Sequence, residues 1–532
     1  MKFLKSLKDG VSRRELFGAG GALAALGLTR GAAAGQGAPA AAVNIYESIG
    51  VRPLINCRGT FTIISGSLKL PEVNRAMEQA ALNFVNMDEL AEGVGKRLAQ
   101  ITGAEWGMVS AGCCAALAHS TAACIAGSDP EKMQRLPNCA GMKNEVVIPA
   151  YSRNVYDHAI RMVGVKIVTV ANKEDFPSAL TPQTAMVYMV SGPEDSGPFG
   201  LPFIVEAAHA KGVPVLVDAA ADDLTIPNIY LQKGADLVAY SGGKAIRGPQ
   251  CAGMLLGKKS IVQAAWINSA PHHAYGRAMK VGKEEIMGML AAVETWAKMD
   301  HEAEYKRKRG YLEYIAERVS KIPGIKTSIR DARGLSDRAA AMSVTWDPAQ
   351  LGITGPQVSN LLYEGNPRID NGGGGRGGAG GSITFIAHMM MPGEEKIVAE
   401  RVFDILSKPP KLYTPKEPAA AASSVNGRWD VHVEYLRGVA EHSVALEQQG
   451  NRLVGTHYGE LLSGDLQGSL EGSQISMRSS HRYEGTGIGY SFTGTVSGDT
   501  MQGVLSVGEY GEAKWTARKH QYGQQRRRGG AA

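Results

Sequence analysis

Between about residue 44 and residue 408, short apolar runs alternate with amphipathic stretches. The apolar runs are rich in Val, Ile and Leu and predict buried strands over 144–150, 165–170, 184–190, 213–220, 235–241 and 252–257. The stretches between them have helical periodicity, as in VYDHAIRMVG and in LPFIVEAAHAKG, which we expect to end at Gly212 as a C-cap. Strands that are apolar on both faces and separated by helices predict a mostly parallel sheet covered by helices on each side, an α/β fold.

Two further regions follow the predicted sheet. We assign 44–300 to a large domain, 301–408 to a small α+β subdomain, and the Pro- and Ala-rich segment 409–424 to a linker. Over 425–519, apolar and polar residues alternate in short runs, with Gly, Asn or Asp turns roughly every ten residues. This alternation predicts an antiparallel β-sandwich or small barrel that folds on its own. Residues 520–532 are predicted to be a disordered basic tail.

The first 34 residues have a different pattern. Arg13 and Arg14 precede a short run of Ala, Gly and Leu, which ends in three alanines at 32–34. A charged start, an apolar middle and small residues at the end predict an export signal, because the apolar run is too short for a membrane anchor. The paired arginines resemble the twin-arginine type, which predicts a periplasmic location and cleavage near Ala34. A frayed basic N-terminus is the alternative.

The composition is that of an ordinary globular protein, with 44% hydrophobic and 20% charged residues. The net charge of +6 lies largely at the two ends of the chain, which argues against a nucleic-acid-binding surface. The six cysteines show neither CxxC pairs nor the spacing of a disulfide framework, so disulfides are not required and we expect no metal site. The glycine-rich run 371–382 lacks the Gly-Lys-Ser/Thr of a P-loop and predicts a flexible surface loop.

Three features point to one site in the predicted sheet. In the run DLVAYSGGKAIRGPQ, Lys244 follows a buried strand directly, at a position from which its side chain can enter a pocket. Asp218 ends another apolar strand, where a carboxylate is costly unless it faces a cleft or a cation. The loop 110–112 opens a long helix of small residues, whose N-terminus favours an anion. Because ligands of open α/β sheets bind at the carboxyl ends of the strands, we expect the three to lie together.

This set meets the chemical needs of pyridoxal phosphate. The aldehyde needs an amine to bind covalently, the ring nitrogen needs a carboxylate, and the phosphate needs a helix N-terminus. We therefore predict that Lys244 and Asp218 are catalytic, the first as the amine and the second as the partner of the ring nitrogen. The other predicted cofactor contacts are Ala220 against the ring, Gly112, Cys113 and Cys114 around the phosphate, and the hydroxyl of Ser241.

The motif SGGKAIRGPQCAGMLLG resembles the lysine motif of the pyridoxal-phosphate-dependent selenocysteine synthase-like family, within the fold-type I aminotransferase superfamily. The resemblance continues through 52–73, 103–117, 276–290 and 365–369 and covers roughly residues 44 to 408, in particular with the D-glucosaminate-6-phosphate ammonia-lyase-like subgroup. It implies a fold-type I domain, a mostly parallel sheet sandwiched by helices with a small α+β subdomain, and pyridoxal phosphate as the cofactor. The glycine-rich run 371–382 departs from the family pattern, and the C-terminal β domain lies outside it.

The resemblance also implies an oligomer. Sites of this superfamily lie at dimer interfaces, so we expect a homodimer or higher homo-oligomer in which Arg52, Asn56 and Thr60 line the pocket, supplied by the partner subunit. His158 or Tyr156 is a candidate for stacking on the pyridine ring, with ordinary helix packing as the alternative.

Further residues are implied to bind the substrate. Arg277, Lys280 and Lys283 match positions that contact phosphate or carboxylate groups in such enzymes, although a solvated helix start is an equal alternative. Arg368 is a candidate for the α-carboxylate of the substrate, with a structural salt bridge as the alternative.

These observations predict a pyridoxal-phosphate-dependent lyase that eliminates ammonia or water from a small amino acid or amino sugar acid. An aminotransferase, racemase or desulfurase on the same fold remains open, and so does an exported binding protein that has lost turnover. A charged tRNA is not expected as the substrate, because the chain has no basic N-terminal domain to hold it and an exported protein would meet none.

Overall fold

The computed structural model describes residues 44–192, 196–373, 380–414 and 417–522. This part of the chain divides into two units, one ending at Pro53 and the other beginning at Leu54. In the first unit, the described residues 44–53 form a 3₁₀ turn at Glu47–Ile49, which ends at Gly50 with a φ of 76°. The predicted signal at 1–34 and residues 523–532 of the predicted tail lie outside the described residues.

The second unit contains a seven-stranded sheet. Its strands are β2 (Trp106–Ser110), β3 (Glu145–Pro149), β4 (Lys166–Val170), β5 (Thr184–Val190), β6 (Val215–Asp218), β7 (Leu237–Ser241) and β8 (Gly253–Gly257). In the order β2-β8-β7-β6-β5-β3-β4, every strand runs in the same direction except β8. The predicted mostly parallel sheet is therefore confirmed. Strand β2 has no counterpart among the predicted strands, because its five residues run directly into the glycine loop that follows.

Helices cover both faces of this sheet. Leu98 and Ile204 pack on one face, and Leu117 and Val262 on the other. The helices of this domain are α1 (Pro71–Ala81), α2 (Met87–Thr102), α3 (Cys113–Ala126), α4 (Pro130–Arg135), α5 (His158–Arg161), α6 (Phe176–Ala179), α7 (Leu201–His209), α8 (Ile229–Gln232), α9 (Lys259–Ile267) and α10 (Lys283–Trp296). In the described ranges, no helix has both the length and the apolarity to cross a bilayer.

Two predicted helices differ from the observed ones. The stretch VYDHAIRMVG forms a 3₁₀ turn at Val155–Asp157 followed only by the short α5, because Asn154 starts the turn with its own side chain. Helix α7 is capped at Ala210, and Gly212, with a φ of 66°, instead ends the turn that leads to β6.

A small α+β subdomain follows the large one. It contains helices α11 (His301–Val319), α12 (Pro348–Leu351), α13 (Gly355–Glu364) and α14 (Glu394–Ser407), and strands β9 (Lys326–Arg330), β10 (Ala341–Thr345), β11 (Arg368–Asp370) and β12 (Ser382–Ile386). Strands β9, β10 and β12 form an antiparallel sheet, and β11 pairs in parallel with β1 (Leu54–Asn56), so the start of this unit belongs to the small subdomain. Of the predicted glycine-rich loop, residues 374–379 lie outside the described residues.

The C-terminal region is a closed barrel of eight antiparallel strands. They are β13 (Gly427–Glu434), β14 (Val439–Gln449), β15 (Arg452–Tyr458), β16 (Ser463–Glu471), β17 (Gln474–Tyr483), β18 (Thr486–Ser497), β19 (Thr500–Ser506) and β20 (Glu512–Lys519). The alternation along the chain places Trp429, Val431 and Val433 inside and the residues between them outside. Pairing of β13 with β20 closes the barrel, which decides between the two predicted β architectures.

Candidate functional site

The sheet brings the three predicted features to one edge. Strands β2, β6 and β7 run in the same direction, and they end at Ser110, Asp218 and Ser241. Parallel strands present their carboxyl ends on the same side of a sheet, where ligands of α/β proteins bind. The loop before α3, the strand-end carboxylate and the segment that carries Lys244 therefore lie around one cleft.

Asp218 is a buried carboxylate with three hydrogen-bond donors. Its side chain accepts from the phenol of Tyr188 at 2.9 Å, from the amide of Ala220 at 3.0 Å and from the thiol of Cys113 at 3.6 Å. Burial raises the pKa of Asp218, whereas these bonds and the nearby charge of Lys244 lower it. The three donors are neutral, and the nearby cation is Lys244. A protonated pyridine nitrogen would add a positive charge that a buried carboxylate can pair with.

The glycines before Lys244 allow its chain segment to fold tightly against neighbouring backbone. The amide of Gly242 donates to the carbonyl of Ala252 at 2.8 Å, and a Cβ on Gly242 would lie at the same distance from that carbonyl oxygen. A Cβ on Gly243 would lie 2.1 Å from the amide oxygen of Gln250. The two glycines thus explain why the apolar strand ends in Ser-Gly-Gly-Lys instead of a plain turn. The Lys244 charge lowers the pKa of both Cys113 and Cys114 against the larger effect of burial, which places the amine near the start of α3.

The start of α3 forms a cradle for an anion. Gly112 is its N-cap, with a φ of 82°, and the first turn of Cys113–Ala126 carries no acidic side chain. The first amides of a helix have no partner within the helix, and the helix dipole favours negative charge there. On the other side, a Cβ on Gly253 would lie 2.5 Å from the amide nitrogen of Cys113, so only glycine allows β8 to pass this close. The cradle fits a phosphate group.

Tyr188 also lies at the candidate site, although it is not among the residues predicted from the sequence. Its phenol bonds Asp218, and it accepts from the side-chain amide of Asn154 at 3.2 Å. Burial raises the pKa of Tyr188 well above its usual value, so the phenol remains a donor. The available signal is a lone tyrosine in the apolar run TAMVYMV, but its contact with Asp218 depends on the strand order.

The other predicted cofactor contacts lie close to Asp218. Ala220 donates to Asp218 and accepts from the amide of Ser241 at 3.3 Å, which links the two strand ends. The thiol of Cys113 faces Asp218, so its backbone, and not its side chain, is suited to the phosphate. Cys114 is exposed beside it.

Two of the three predicted pocket-lining residues lie in the second unit. Thr60 is buried and lies 3.5 Å from Oδ1 of Asp337, whose amide bonds the carbonyl of Ala221 at 2.9 Å, near the end of β6. Asn56 organises its own turn by accepting from the amides of the two residues that follow Cys57. Arg52 is exposed at the end of the first unit and stays a prediction.

The remaining candidates have contacts of their own. Arg277 and Lys280 are exposed, and His158 is exposed at the start of α5. Lys283 donates to the carbonyl of Ala80 at 2.7 Å and pairs with Glu284, and Arg368 lies over the ring of Tyr363 at 4.4 Å. Their roles toward a substrate stay predictions.

A cavity lies between the large domain and the small subdomain, and its empty volume is about 710 Å³ when the part open to solvent is included. Its lining includes Arg247, which follows Lys244 by one turn, together with Lys308 and Arg338 from the small subdomain. Burial lowers the pKa of Lys308 to about 8 and raises that of Asp223 to about 6, opposed in Asp223 by the charge of Arg338. The carboxylates of Asp223 and Glu304 lie in the same walls, so the cavity next to the lysine segment carries charges of both signs.

The described residues contain no group of three or more His, Cys, Asp or Glu suited to a metal ion. The functional groups gathered at the sheet edge are an amine, a carboxylate and an anion cradle. They match the three parts of pyridoxal phosphate, and no other cofactor is needed to explain them.

The chain is similar to proteins of known activity. The aminotransferase class-V family model matches residues 155–350. D-glucosaminate-6-phosphate ammonia lyase of Salmonella typhimurium is 33% identical over 338 residues, which cover 61% of this chain and 88% of that protein. The 5'-C-glycyluridine monooxygenase-decarboxylase of a Streptomyces species is 32% identical over 338 residues, covering 61% and 83%.

Similarity in structure agrees with similarity in sequence. A solved structure of D-glucosaminate-6-phosphate ammonia-lyase superposes with a TM-score of 0.61 and 29% identity, covering 68% of this chain and 98% of the other.

A shorter sequence match is to L-seryl-tRNA(Sec) selenium transferase of Proteus mirabilis, which is 42% identical over 71 residues, 13% of this chain and 14% of that protein. The names of these relatives describe different reactions.

Proposed function

Because the chain belongs to the pyridoxal-phosphate-dependent selenocysteine synthase-like family of fold-type I enzymes, we propose that it is a lyase that removes ammonia from a small amino acid or amino sugar acid. The cofactor assignment follows from the family and from the fit of Lys244, Asp218 and the start of α3. The lyase assignment is carried by the ammonia-lyase relative, 88% of which this chain covers.

The residues of the site divide the chemistry among them. Bound pyridoxal phosphate supplies a sink for the electrons of the Cα–H bond of the substrate. Asp218 would hold the ring nitrogen protonated, and the amides at the start of α3 would hold the phosphate. Lys244 would hold the aldehyde of the cofactor and would accept the proton that leaves the substrate Cα.

The lyase reaction follows from that proton transfer. When the substrate carries a β-hydroxyl, Lys244 would pass the proton from Cα to this oxygen, so that the hydroxyl leaves as water and the rest of the substrate leaves as an enamine. The enamine tautomerises and is hydrolysed by one water to a keto acid and ammonia, so the net change is the loss of ammonia.

An anionic substrate is supported by the cavity beside the lysine segment. Arg247, Lys308 and Arg338 contribute positive charge to its walls, and a carboxylate or phosphate pairs well with arginine. Arg277, Lys280, Lys283 and Arg368 remain alternative positions for the same role. Because Asp223 and Glu304 lie in the same walls, the cavity suits a substrate with both a positive and a negative group, such as an amino sugar acid.

A second candidate is oxidative decarboxylation of an amino acid, which the Streptomyces relative favours at nearly the same identity. The two reactions differ in their co-substrate and products. Decarboxylation by a monooxygenase consumes O₂ and releases CO₂, whereas elimination consumes no O₂ and releases ammonia. An aminotransferase would release no free ammonia and would need a second keto acid.

The deciding experiment measures products of the purified protein on a panel of D- and L-hydroxyamino acids and amino sugar acids, with Lys244→Ala as the control. We expect free ammonia and a keto acid in equal amounts without any added keto acid. Amino transfer only in the presence of a keto acid would replace the lyase with an aminotransferase. Uptake of O₂ with release of CO₂ would support the second candidate, and no product from any substrate would support a binding protein.

We also propose a homodimer, supported by exposed apolar residues on both sides of the site. Phe61 and Ile63 are 51% and 80% exposed and begin the segment that leads to Ser67, whose amide bonds the carbonyl of Gly243 at 3.1 Å. Val155 and Tyr156, near the Asp218 network, are 48% and 50% exposed. Exposed apolar surface of this kind marks interaction sites. Light scattering should give a dimeric or larger mass, and a monomer with full activity would contradict the proposal.

Export to the periplasm is part of the proposal as well. It is supported by the sequence pattern of residues 1–34.

A further inference from the structure

The tip of the barrel hairpin β17–β18 contacts the large domain next to the cofactor site. The tip consists of Tyr483, Glu484 and Gly485, and the surface it meets is the segment 153–161, which follows β3. We call this segment the β3 extension. The ammonia-lyase relative matches only 61% of this chain, so the proposed reaction does not explain why a barrel is appended to the catalytic domain.

An ion-pair network ties the tip to the β3 extension. Arg153, whose side chain is 8% exposed, pairs with Glu484 of the barrel and with Asp157, at 2.6 Å from Oδ2. The fully buried Asp157 also accepts from Arg161 at 3.2 Å, and the guanidinium of Arg161 lies 5.6 Å from the ring centre of Tyr483. Each of these two arginines of the β3 extension therefore contacts Asp157 of the extension and one residue of the hairpin tip. Arg153 bridges two carboxylates through separate N–H groups, and hydrogen bonds of a largely buried arginine to carboxylates are stronger than those of exposed pairs.

The backbone of the tip is shaped for this contact. Glu484 has a φ of 52°, a conformation that costs free energy for a residue with a Cβ and is usually taken by glycine or asparagine. At Gly485, a Cβ would lie 2.0 Å from the carbonyl oxygen of Asn154 and 2.6 Å from Oδ2 of Asp157. A glycine at the contact and a strained glutamate beside it are expected when the position of the carboxylate matters.

A short chain of hydrogen bonds leads from this contact to the cofactor site. Asn154, against which Gly485 packs, donates to the phenol oxygen of Tyr188 at 3.2 Å, and Tyr188 donates to Asp218 at 2.9 Å. Asn154 also accepts from the amide of Tyr156 at 2.7 Å and donates to the carbonyl of Ser152 at 2.9 Å, so its side chain is fixed by the extension itself. Displacement of the extension would move the donor that orients Tyr188.

We propose that the hairpin tip is a positioning element of the cofactor site, in which Glu484 and Gly485 hold the β3 extension so that Asn154 and Tyr188 orient the carboxylate of Asp218. The barrel is then a working part of the catalytic unit. Glu484 acts through Arg153 and touches no reacting atom, so it is a positioning residue. The role applies to any reaction that needs Asp218 at the ring nitrogen and does not depend on which substrate is correct.

The test compares Glu484→Gln and Gly485→Ala in the full chain with two matched controls. Glu471→Gln changes an exposed glutamate at the opposite end of the barrel, and Gly489→Ala adds a methyl group in open space on the same strand as the tip. Hydrogen exchange of cofactor-free protein should rise about tenfold over 152–161 in the tip variants, which corresponds to about 1.4 kcal/mol of local stability. Exchange in β13 and β20 should stay at the parental rate.

A spectroscopic readout separates positioning from simple stability. The tip variants should bind pyridoxal phosphate more weakly, and the visible absorbance of bound cofactor should change with pH at a shifted midpoint, because Asp218 is less well oriented. Glu484→Asp, which keeps the charge, should recover part of both effects. The proposal is overturned if exchange over 152–161 and the absorbance titration of the tip variants equal those of the controls. Glu484→Gln keeps the size of the side chain and the backbone, so it decides the question if Gly485→Ala does not fold.

Discussion

The phenolic oxygen of Tyr188 donates a hydrogen bond to Oδ2 of Asp218 over 2.9 Å. The two residues lie on neighbouring strands, β5 and β6, and both side chains are buried. Burial raises the pKa of Asp218, and the bond from Tyr188 is the first of the contacts that oppose this rise. Tyr188 therefore helps to keep Asp218 ionised, as its proposed role beside the ring nitrogen of the cofactor requires.

Removal of this phenol should change the pH dependence of the enzyme. In Tyr188→Phe the pKa of Asp218 rises further, so the carboxyl becomes protonated at a higher pH as the solution is acidified. A hydrogen bond to a charged group contributes about 1.5–3 kcal/mol, so the acidic limb of kcat/KM should move upward by about one to two pH units. Tyr240→Phe is the control, since Tyr240 is a buried tyrosine on β7 that bonds Asn228 instead. Identical profiles for the two variants would exclude the role of Tyr188.

Asp218→Asn should keep part of the cofactor but react far more slowly. Asparagine has nearly the same shape, so the contacts with Ala220 and Cys113 can partly remain. The ring nitrogen, however, loses the anion that keeps it protonated. Single-turnover kinetics of cofactor-loaded protein measure the effect, and an unchanged rate would remove Asp218 from the site.

Lys244→Ala should abolish the covalent, borohydride-reducible attachment of pyridoxal phosphate together with most activity. Lys244 is the lysine that follows β7, and its charge reaches Asp218 and both thiols at the start of α3. Mass spectrometry after reduction gives the site of attachment. Lys211→Ala, an exposed lysine after α7, should behave as the parent does. A reducible adduct in Lys244→Ala would refute the assignment.

Acidification should destabilise the barrel through His457. This side chain is fully buried, bonds His442 at 2.9 Å and the hydroxyl of Ser479 at 2.6 Å, and has its pKa lowered from 6.5 to about 3 by burial and by His481 and His442. As the pH falls through 6.5, this histidine becomes protonated in the unfolded chain but stays neutral in the folded barrel. The contribution of His457 to the free energy of unfolding is therefore fully present above that pH and is lost progressively below it. Between about pH 7.5 and about pH 5 the loss from this residue is about 2 kcal/mol.

Denaturant unfolding of the full chain at the two pH values measures this loss. His457→Gln, which does not titrate, should show a smaller difference between the two pH values than the parent. His432→Gln is the control, because His432 is on the outer surface of β13 and its side chain is 47% exposed. An equal pH dependence in parent and His457→Gln would show that other groups cause it.

Residues 425–519 should fold as an isolated fragment. The barrel closes on itself and has its own core around Trp429, Phe492 and Trp515. Far-ultraviolet circular dichroism and a cooperative thermal transition would confirm this. An unfolded fragment would mean that the barrel needs the contact between its hairpin tip and the large domain in order to fold.

Replacement of Arg13 and Arg14 by lysine should keep the precursor in the cytoplasm, because paired arginines are the feature that the twin-arginine receptor reads. Cell fractionation measures the distribution. Replacement of Lys5 and Lys8 by arginine, in the same segment, is the control and should not affect export. Normal export of the double lysine variant would indicate another route.

The amino-acid sequence predicts the fold class and the two central residues of the candidate site, Asp218 and Lys244. The apolar runs that form β5, β6 and β7 differ from the neighbouring helical segments in hydrophobic period and in length, and both are local properties of the sequence. Asp218 is recognisable because it ends such a run, and Lys244 because it follows the end of another by three residues, at the edge of a parallel sheet where ligands bind. The alternation after residue 425 likewise predicts a β domain with one buried face.

Only the tertiary structure decides which distant residues meet. The sequence predicts neither the strand order, which sets β5 beside β6 and so brings Tyr188 to Asp218, nor the pairing of β13 with β20 that makes a barrel instead of a sandwich. The contact between Arg153 and Glu484 joins residues 331 positions apart. Contacts at such separation depend on the summed packing of whole domains, and no local pattern of residues encodes them.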